Sequence, residues 1–547
     1  MLRRDFLNGV AMSTAAVWSA TVPPRELFAA EGAQAGTVTA RWGGNARDVV
    51  DIAHRVRDGR LPPLRTVRDD VGLLDVVIVG AGLSGLAAAF EIERGSGGKL
   101  KIALLDNQHS VGGAAQPDVF DWGGRRILAA QGSIVNQVAT PGLETYPDTE
   151  SFLQQLVPQM DVHRVSGLER GFGVVRVDAA GGRATRHASV MEAPWRDGVR
   201  DGYFAFLGEA AGVYQGADWR GRLMALDDRS FVEHIRQRGW DPGTYEWMVP
   251  ELETFFGIPD QVSAAAVLRQ YGGGPPVIRS FPGGNSFLTR AMLAGLRTVP
   301  RTSATVVAVE QSVSPRRDYP PLRVVWFEGG RLRAARTRAV VMAGGAFMTK
   351  HVVRELPAAK LEALQQVVHA PVAWVNVLLR DARAHDTDGL PPLAIMGGTR
   401  ASLMLAYDKL RAPTGEPPDP GRPVVLGLSL AFNAPGQPAR AQAAVGRQAL
   451  LDLPFGTFEG WVKSDLQLAL GSAGLDVERD IVGISVCRWG HGYAYPEIGL
   501  LSGGALERAR APEGRISFAH SDLDGFSHVT GAIGHGRRAA REVLAML

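Results

Sequence analysis

One stretch, Asp75 to Gln116, constrains this chain more than any other. It opens on Asp75-Val76-Val77-Ile78-Val79, a continuous β-branched run of the kind a strand buried on both faces requires. Gly80-Ala81-Gly82-Leu83-Ser84-Gly85 comes next, then Leu86-Ala87-Ala88-Ala89-Phe90-Glu91-Ile92, a strong helix opening. A second strand, Lys101-Ile102-Ala103-Leu104-Leu105, ends on Asp106. Strand, glycine turn, helix, strand and acid in that order specify a dinucleotide-binding βαβ unit. In such a unit Gly80 permits the turn, Gly82 lets a pyrophosphate approach the backbone, and Gly85 lets helix pack on strand. The N–H groups at the helix start, Ser84 included, face the phosphates with the positive end of the helix dipole behind them. Asp106 accepts from ribose hydroxyls. An ordinary βαβ unit with a glycine turn is the alternative.

The residues just past Asp106 separate the two common dinucleotides. Asn107-Gln108-His109-Ser110-Val111 leads to Gly112-Gly113, then Ala114-Ala115-Gln116. A Gly-Gly pair just past the ribose acid resembles the second signature of the flavin amine oxidase superfamily. The resemblance implies FAD, held non-covalently, with Asn107, Gly112 and Gly113 beside its phosphates and ribityl chain.

Length and charge bound the rest. At 547 residues the chain is comfortable for two interleaved domains. A net charge of +3 without a Lys/Arg-rich run gives no ground for a nucleic-acid partner. Cys487 is the single cysteine, which excludes an intrachain disulfide and a multi-cysteine metal site, and no metal site is expected. No C-x-x-C-H occurs, which excludes the usual covalent c-type haem attachment.

The first residues, Met1-Leu2-Arg3-Arg4-Asp5-Phe6-Leu7, precede a modest apolar region from Val10 to Ala20 and small residues at Ala29, Ala30, Ala33 and Ala35. This is the pattern of a twin-arginine export signal, the alternative being an N-terminal helix with two incidental arginines. Twin-arginine transport carries folded proteins, which suits a cofactor loaded before export. The expected mature chain is therefore periplasmic or secreted and starts between Glu31 and Ala40.

The expected fold is α/β: a Rossmann-like FAD-binding domain of the glutathione-reductase and amine-oxidase type, interleaved with an α+β substrate domain. Boundaries are placed at 1–35 for the signal and 36–71 for an N-terminal helical segment. The FAD domain takes 72–135, 281–349 and 480–547, and the substrate domain 136–280 and 350–479. Periodicity places helices over 45–60, capped by Asn45, and over 230–237, 245–256, 286–296 and 455–470. A loop and helix start is expected at Gln131 to Ile134. Strands are expected at 305–310, in a hairpin of 322–327 with 332–337, separately at 338–342, and at 480–489 and 515–522.

The end of the chain carries two further likenesses. Arg515 to Asp522, followed by Ser527 to Ile533, resembles the C-terminal FAD motif of the superfamily. That implies Asp522 at the ribityl or pyrophosphate region, and the helix start at Val529 and Gly531 pointing N–H groups at the N1–C2 edge of the flavin. A helix N-terminus there stabilises the negative charge of reduced flavin. The same resemblance sets the backbone of Val306 against the adenine, with a purely structural strand as the equal alternative. More closely, three segments resemble the bacterial spermidine dehydrogenase group: Leu105 through Gly113, Arg488-Trp489-Gly490-His491-Gly492-Tyr493-Ala494-Tyr495, and Ile516 to Asp522. The entry residues Gly43-Gly44-Asn45, His54 and Arg57-Asp58-Gly59 resemble that group as well.

This implies hydride transfer from a C–H next to nitrogen of an amine or polyamine-like substrate to flavin N5. Trp489, Tyr493 and Tyr495 then form an aromatic wall, and His491 accepts a proton or fixes the substrate; a packed strand end is the competing reading. Two departures stand out: Ala114-Ala115-Gln116 replaces the histidine and basic residues that come after the group's Gly-Gly pair, and no obvious equivalent is present of the lysine that many amine oxidases use near N5, the Ala370 to Arg380 strand offering Asn376 instead. Cys487 reads as a buried structural thiol rather than a covalent flavin link. Some members of the group carry haem, unplaced here; His54 is a candidate ligand, with a packing histidine in the 45–60 helix as the alternative. The electron acceptor stays open between oxygen, quinone and cytochrome. The alternatives are a flavin dehydrogenase or desaturase of a non-amine metabolite, and a flavin electron-transfer protein without its own substrate.

Overall fold

The computed structural model describes residues 39–137, 148–157, 162–163, 173–177, 183–187, 189–272, 278–281, 283–311, 320–383, 393–406, 419 and 421–547. The expected export signal lies outside the described residues, as does the proline-rich stretch 413–418.

The chain enters through β1 (Thr39–Gly44) and α1 (Arg47–Arg57) and then lays down β2 (Leu73–Val79), α2 (Leu83–Gly95) and β3 (Ile102–Leu105). The hairpin β4 (Pro117–Trp122) and β5 (Arg125–Ala130) comes after them, then β6 (Val135–Gln137), α3 (Asp148–Leu156), β7 (Val162–His163), β8 (Gly173–Val177) and β9 (Ala184–His187). A helical layer is next: α4 (Asp197–Gly212), α5 (Phe231–Arg238), α6 (Gly243–Phe256) and α7 (Ala264–Tyr271). β10 (Ile278–Ser280) and α8 (Ser286–Gly295) return the chain to β11 (Thr305–Gln311), β12 (Leu322–Glu328) and β13 (Arg331–Met342). Beyond α9 (Ala346–Val352) come β14 (Val368–Leu379), β15 (Leu393–Met396), β16 (Leu403–Ala406), β17 (Val424–Ala431), α10 (Ala439–Asp452) and α11 (Phe455–Leu470). The chain closes with β18 (Ile481–Tyr495), β19 (Ile516–Phe518) and α12 (Val529–Met546).

Two sheets organise these elements. The nucleotide sheet runs β11-β12-β13-β2-β3, with β19 also on β13. β2 pairs in parallel with β3 and with the second half of β13, the arrangement a βαβ crossover imposes. Val76, Val77 and Ile78 have no exposed surface, because Val76 and Ile78 pack under α2 and α12 while Val77 faces the opposite core. The second sheet has eight strands in the order β1-β18-β14-β17-β16-β15-β8-β9 and carries the α4–α7 layer against it. The α/β class and the Rossmann-like domain expected from the sequence are both present.

Four expectations need correcting. The hairpin strand at 332–337 and the strand at 338–342 are one strand, β13, whose first half pairs antiparallel with β12 and whose second half pairs in parallel with β2. β18 belongs to the eight-stranded sheet, not the nucleotide sheet, so residues 481–495 leave the expected FAD segment. Gln131 to Ile134 leads into β6 rather than a helix. Finally, α1 starts at Arg47 without a side-chain cap, because the Asn45 carboxamide oxygen accepts from the Gly490 N–H at 3.1 Å.

Candidate functional site

The first glycine turn folds as its pattern demands. Gly80 has φ +102°, a conformation that favours glycine. A Cβ on Gly85 would lie 1.8 Å from the Gly80 carbonyl oxygen, so the turn itself excludes any larger residue there. Gly82 differs: its φ is −70°, and the nearest atom to an added Cβ would be Gly113 Cα at 3.8 Å. Gly112 (φ +123°) donates its N–H to the Ala81 carbonyl at 2.9 Å, which brings Gly113 opposite Gly82. Backbone thus lines both sides of this cleft, and α2 begins there with no side-chain cap over its N–H groups.

Asp106 sits at the end of β3, buried. Its carboxylate accepts from the Ala81 N–H at 2.5 Å and the Gln108 N–H at 2.7 Å. Burial pushes its pKa up to about 6 against those two bonds. Asn107 is partly exposed beside it. The segment leading to Val306 runs alongside: the Ala304 N–H donates to the Asp106 carbonyl at 2.8 Å, and Val306 itself is buried in β11.

Ser84 has a use the sequence did not show. Its hydroxyl donates to the Ala532 carbonyl at 2.7 Å, 448 residues away in the chain. A Cβ on Gly536 would lie 2.1 Å from the Ser84 carbonyl, so α12 crosses α2 with glycine at the contact. The closing helix therefore starts beside the first nucleotide turn. His528 caps it by accepting the Gly531 N–H at 3.0 Å. That bond occupies one of the N–H groups the sequence assigned to the flavin. Val529 and Thr530 complete the first turn, and the Thr530 hydroxyl donates to Asn136 Oδ1 at 3.3 Å.

Asn136 Nδ2 and Gln116 Nε2 are buried donors that meet no acceptor among the described residues. Buried amides are satisfied in folded proteins, so these two are open to an acceptor-rich partner. A glycine-floored cleft, an uncapped helix start, a ribose-type acid and two waiting donors fit FAD.

Asp522 is buried, with Oδ2 held by protein and Oδ1 meeting no hydrogen-bond donor among the described residues. Its Oδ2 accepts from the Ala346 N–H at 2.7 Å and meets His369 Nε2 at 3.0 Å, while Oδ1 lies 3.0 Å from His520 Nδ1. Burial alone would raise its pKa, but His520 and His369 hold it well below the carboxylate range. The side chain thus organises two histidines, a role its sequence pattern does not give it.

β18 carries the aromatic segment. Opposite it on β14, Ala370 pairs with Tyr493 and Val372 with Trp489, so Pro371 alone faces Gly490, His491 and Gly492. This bulge re-aims His491 out of the strand. The imidazole stacks on Phe347 at 4.0 Å between ring centres, with His369 edge-on at 5.9 Å. Burial, then the nearby Arg447, His369, Lys350 and His54, push its pKa well below the usual histidine value, so it is neutral at pH 7. Trp489 donates its indole N–H to the Gln131 carbonyl at 2.6 Å. Burial pushes the Tyr493 phenol up to about 12, with Ser429 opposing the rise. Tyr495 is fully buried in the helical-layer core and lines no wall.

Two further expectations are answered. Asn376 is buried in a polar network, donating to Asp118 Oδ2 at 2.7 Å and the Ala130 carbonyl at 2.9 Å. Cys487 is buried against Gly43, with burial pushing its thiol well up, as a structural cysteine would be. His369, Phe347, Asn136 and Gln116 escape a reading of the sequence alone. Only Phe347, in the Gly344-Gly345-Ala346-Phe347 run after β13, has a signal that could have found it.

Comparison with known proteins gives one family match, the NAD(P)-binding Rossmann-like domain, over residues 78–156. No curated protein matches the chain. Among solved structures, putrescine oxidase redesigned for cofactor binding superposes with a TM-score of 0.60 at 17% identity, covering 87% of this chain and 99% of its own. The wild-type putrescine oxidase bound to putrescine gives 0.60 at 18% identity, covering 86% and 99%. Cyclohexylamine oxidase from Brevibacterium oxydans gives 0.58 at 16%, covering 86% and 99%. At these identities the likeness is one of fold.

Proposed function

We propose that this chain is a FAD-dependent oxidoreductase that oxidises the C–H next to nitrogen in an amine, giving an imine that water hydrolyses. The observation that carries the proposal is the meeting of the glycine-floored cleft with the start of α12, where buried amide donors face no acceptor. The amine oxidases of the same fold support the choice of an amine. When bound, FAD supplies the hydride acceptor.

The chain's own residues do the rest. Gly80 and Gly112 shape the two turns, with their N–H groups spent on the Leu105 and Ala81 carbonyls, so that Gly82, Gly85 and Gly113 bring backbone to the phosphates, and Asp106 takes the ribose hydroxyls. The first turn of α12 sets its positive end where reduced flavin carries charge. His491, neutral at pH 7, accepts the proton that the substrate ammonium must lose, and the Phe347 stack fixes its ring. Trp489 and Tyr493 flank it from the same strand. In the narrower form of the proposal the chain is spermidine-dehydrogenase-like, exported through the twin-arginine machinery to the periplasm, and holds FAD without a covalent link. Its electron acceptor is oxygen, a quinone or a cytochrome.

The test is anaerobic. Purified protein is expected to be yellow, and its flavin to bleach with members of an amine panel but not with alcohols. Bleaching by alcohols alone would replace the amine with a non-amine metabolite, and bleaching by neither would favour electron transfer. Colourless protein that refuses FAD on reconstitution would refute the proposal.

A further inference from the structure

A cleft of about 310 Å³ opens where α9 packs against the end of α1. That volume is at the small end of ligand pockets, which span roughly 300–1,000 Å³. Its polar lining is Arg57, Lys350, His351, Arg354 and Glu355. Arg57 already holds Asp58 at 2.8 Å, and Asp58 is also held by Arg60, so that carboxylate is spent. Lys350, His351 and Arg354 have no carboxylate partner among the described residues, and Glu355 on the rim is the one acid of the lining.

The cationic character continues inward. Phe347 and Lys350 are three residues apart on α9 and so share a face. Phe347 stacks on His491, which places Lys350 between the cleft and the site. Arg447 lies on the same side, donating to the His369 carbonyl at 2.9 Å. The charges felt by Lys350, after burial itself, are those of Arg440 and Arg447, and no carboxylate offsets them. A polyamine, cationic at both ends, would be repelled by these charges. A carboxylate would be drawn to them.

We propose that this cleft binds the carboxylate of an amino-acid-like substrate, so that the site takes amines carrying a carboxylate arm, in place of the polyamine that the narrower, spermidine-dehydrogenase-like form of the proposed function implies. Its role toward the substrate rests on the flavin reading; the anion site itself does not. Two four-carbon molecules test it: 4-aminobutanoate and putrescine, which differ by a carboxylate in place of a protonated aminomethyl group.

In calorimetric titrations of the purified full-length protein at low salt, 4-aminobutanoate is expected to bind at least tenfold more tightly than putrescine. Added salt should weaken that binding. Lys350→Gln and Arg354→Gln should each weaken 4-aminobutanoate at least tenfold. Lys350→Arg should retain it, which separates lost charge from misfolding. Tighter binding of putrescine, no binding of 4-aminobutanoate, or equal binding in both Gln variants would overturn the proposal. Anaerobic mixing then separates the two readings. If 4-aminobutanoate binds as stated but no amine bleaches the flavin, the anion site stands and the oxidoreductase reading falls. If putrescine bleaches the flavin faster, the oxidoreductase reading stands and this one falls.

Discussion

Gly82 and Gly85 stand three residues apart in one motif, yet the structure assigns them different physical duties, and alanine at each position separates the two. At Gly85 an added Cβ would be 1.8 Å from the Gly80 oxygen and 2.9 Å from the Gly80 carbonyl carbon, both backbone atoms that no side-chain rotation can relieve. Gly80 is itself committed to φ +102°. Overpacking of this kind costs about 1–3 kcal/mol and more where backbone must move, while alanine in a helix returns about 0.5–1 kcal/mol. The net expectation for Gly85→Ala is a loss of about 2 kcal/mol of folding stability together with loss of flavin.

At Gly82 the nearest atom to a Cβ is 3.8 Å away and φ is −70°, so alanine fits the protein, and the weaker N-cap costs under about 1 kcal/mol. The Cβ would nevertheless stand in the cleft between Gly82 and Gly113. Gly82→Ala is therefore expected to leave apoprotein unfolding in urea nearly unchanged while weakening FAD by at least tenfold. Urea midpoints on flavin-stripped protein and flavin quenching titrations read the two quantities separately. Equal urea shifts in both variants, or wild-type FAD affinity in Gly82→Ala, would refute the assignment.

The same geometry sets three further outcomes. Asp106 has a folded pKa of about 6, raised by burial above the ordinary 3.8, so in apoprotein its contribution favours folding below 3.8 and is lost as pH rises through 6. Ribose hydroxyls donate to the ionised form, so FAD affinity measured by quenching should fall about tenfold per pH unit below 6. His491→Gln should keep its flavin but slow anaerobic reduction by amine about 10²–10⁴-fold, with the loss set by the missing proton acceptor. Cys487→Ser should cost about 1–3 kcal/mol in urea unfolding by burying a hydroxyl beside Gly43, while acid precipitation releases the flavin into solution as it does from wild type.

What could be read from the sequence was local and periodic. The βαβ unit, α11 at Phe455–Leu470 and the start of α12 were legible because apolar spacing and glycine placement decide them within a few residues. β13 reads as two strands because its partners change halfway along, and a change of partner leaves no mark on the strand's own residues. The Gly490-His491-Gly492 bulge had a signal in its paired glycines, which weaken a strand and often mark a bulge. The Asp522–His369 contact had none: a single histidine at the start of the largely apolar β14 looks like packing until the fold brings it within 3.0 Å of a buried acid 153 residues on.

The position where a lysine was sought shows why the proposed mechanism gives proton handling to that histidine group. Asn376 sits in the middle of β14 with no exposed surface. Its Oδ1 accepts from the Trp374 indole at 2.9 Å, and its Nδ2 donates to Asp118 and to the Ala130 carbonyl. Asp118 is also held by Arg41 of β1, whose Nε lies 3.1 Å from it. The slot is thus the knot that ties β1, β4, β5 and β14 together, and every polar atom of the carboxamide is used. A lysine there would gain the Asp118 carboxylate but leave the Trp374 N–H buried without an acceptor, which costs about 1–3 kcal/mol. With the strand's middle committed to structure, the titratable groups of this strand pair stand at its end. There β14 offers His369 and the β18 bulge offers His491, one tethered to Asp522 and the other clamped on Phe347. On the proposed mechanism the neutral, ring-stacked histidine takes the lysine's place from a different point on the same pair of strands.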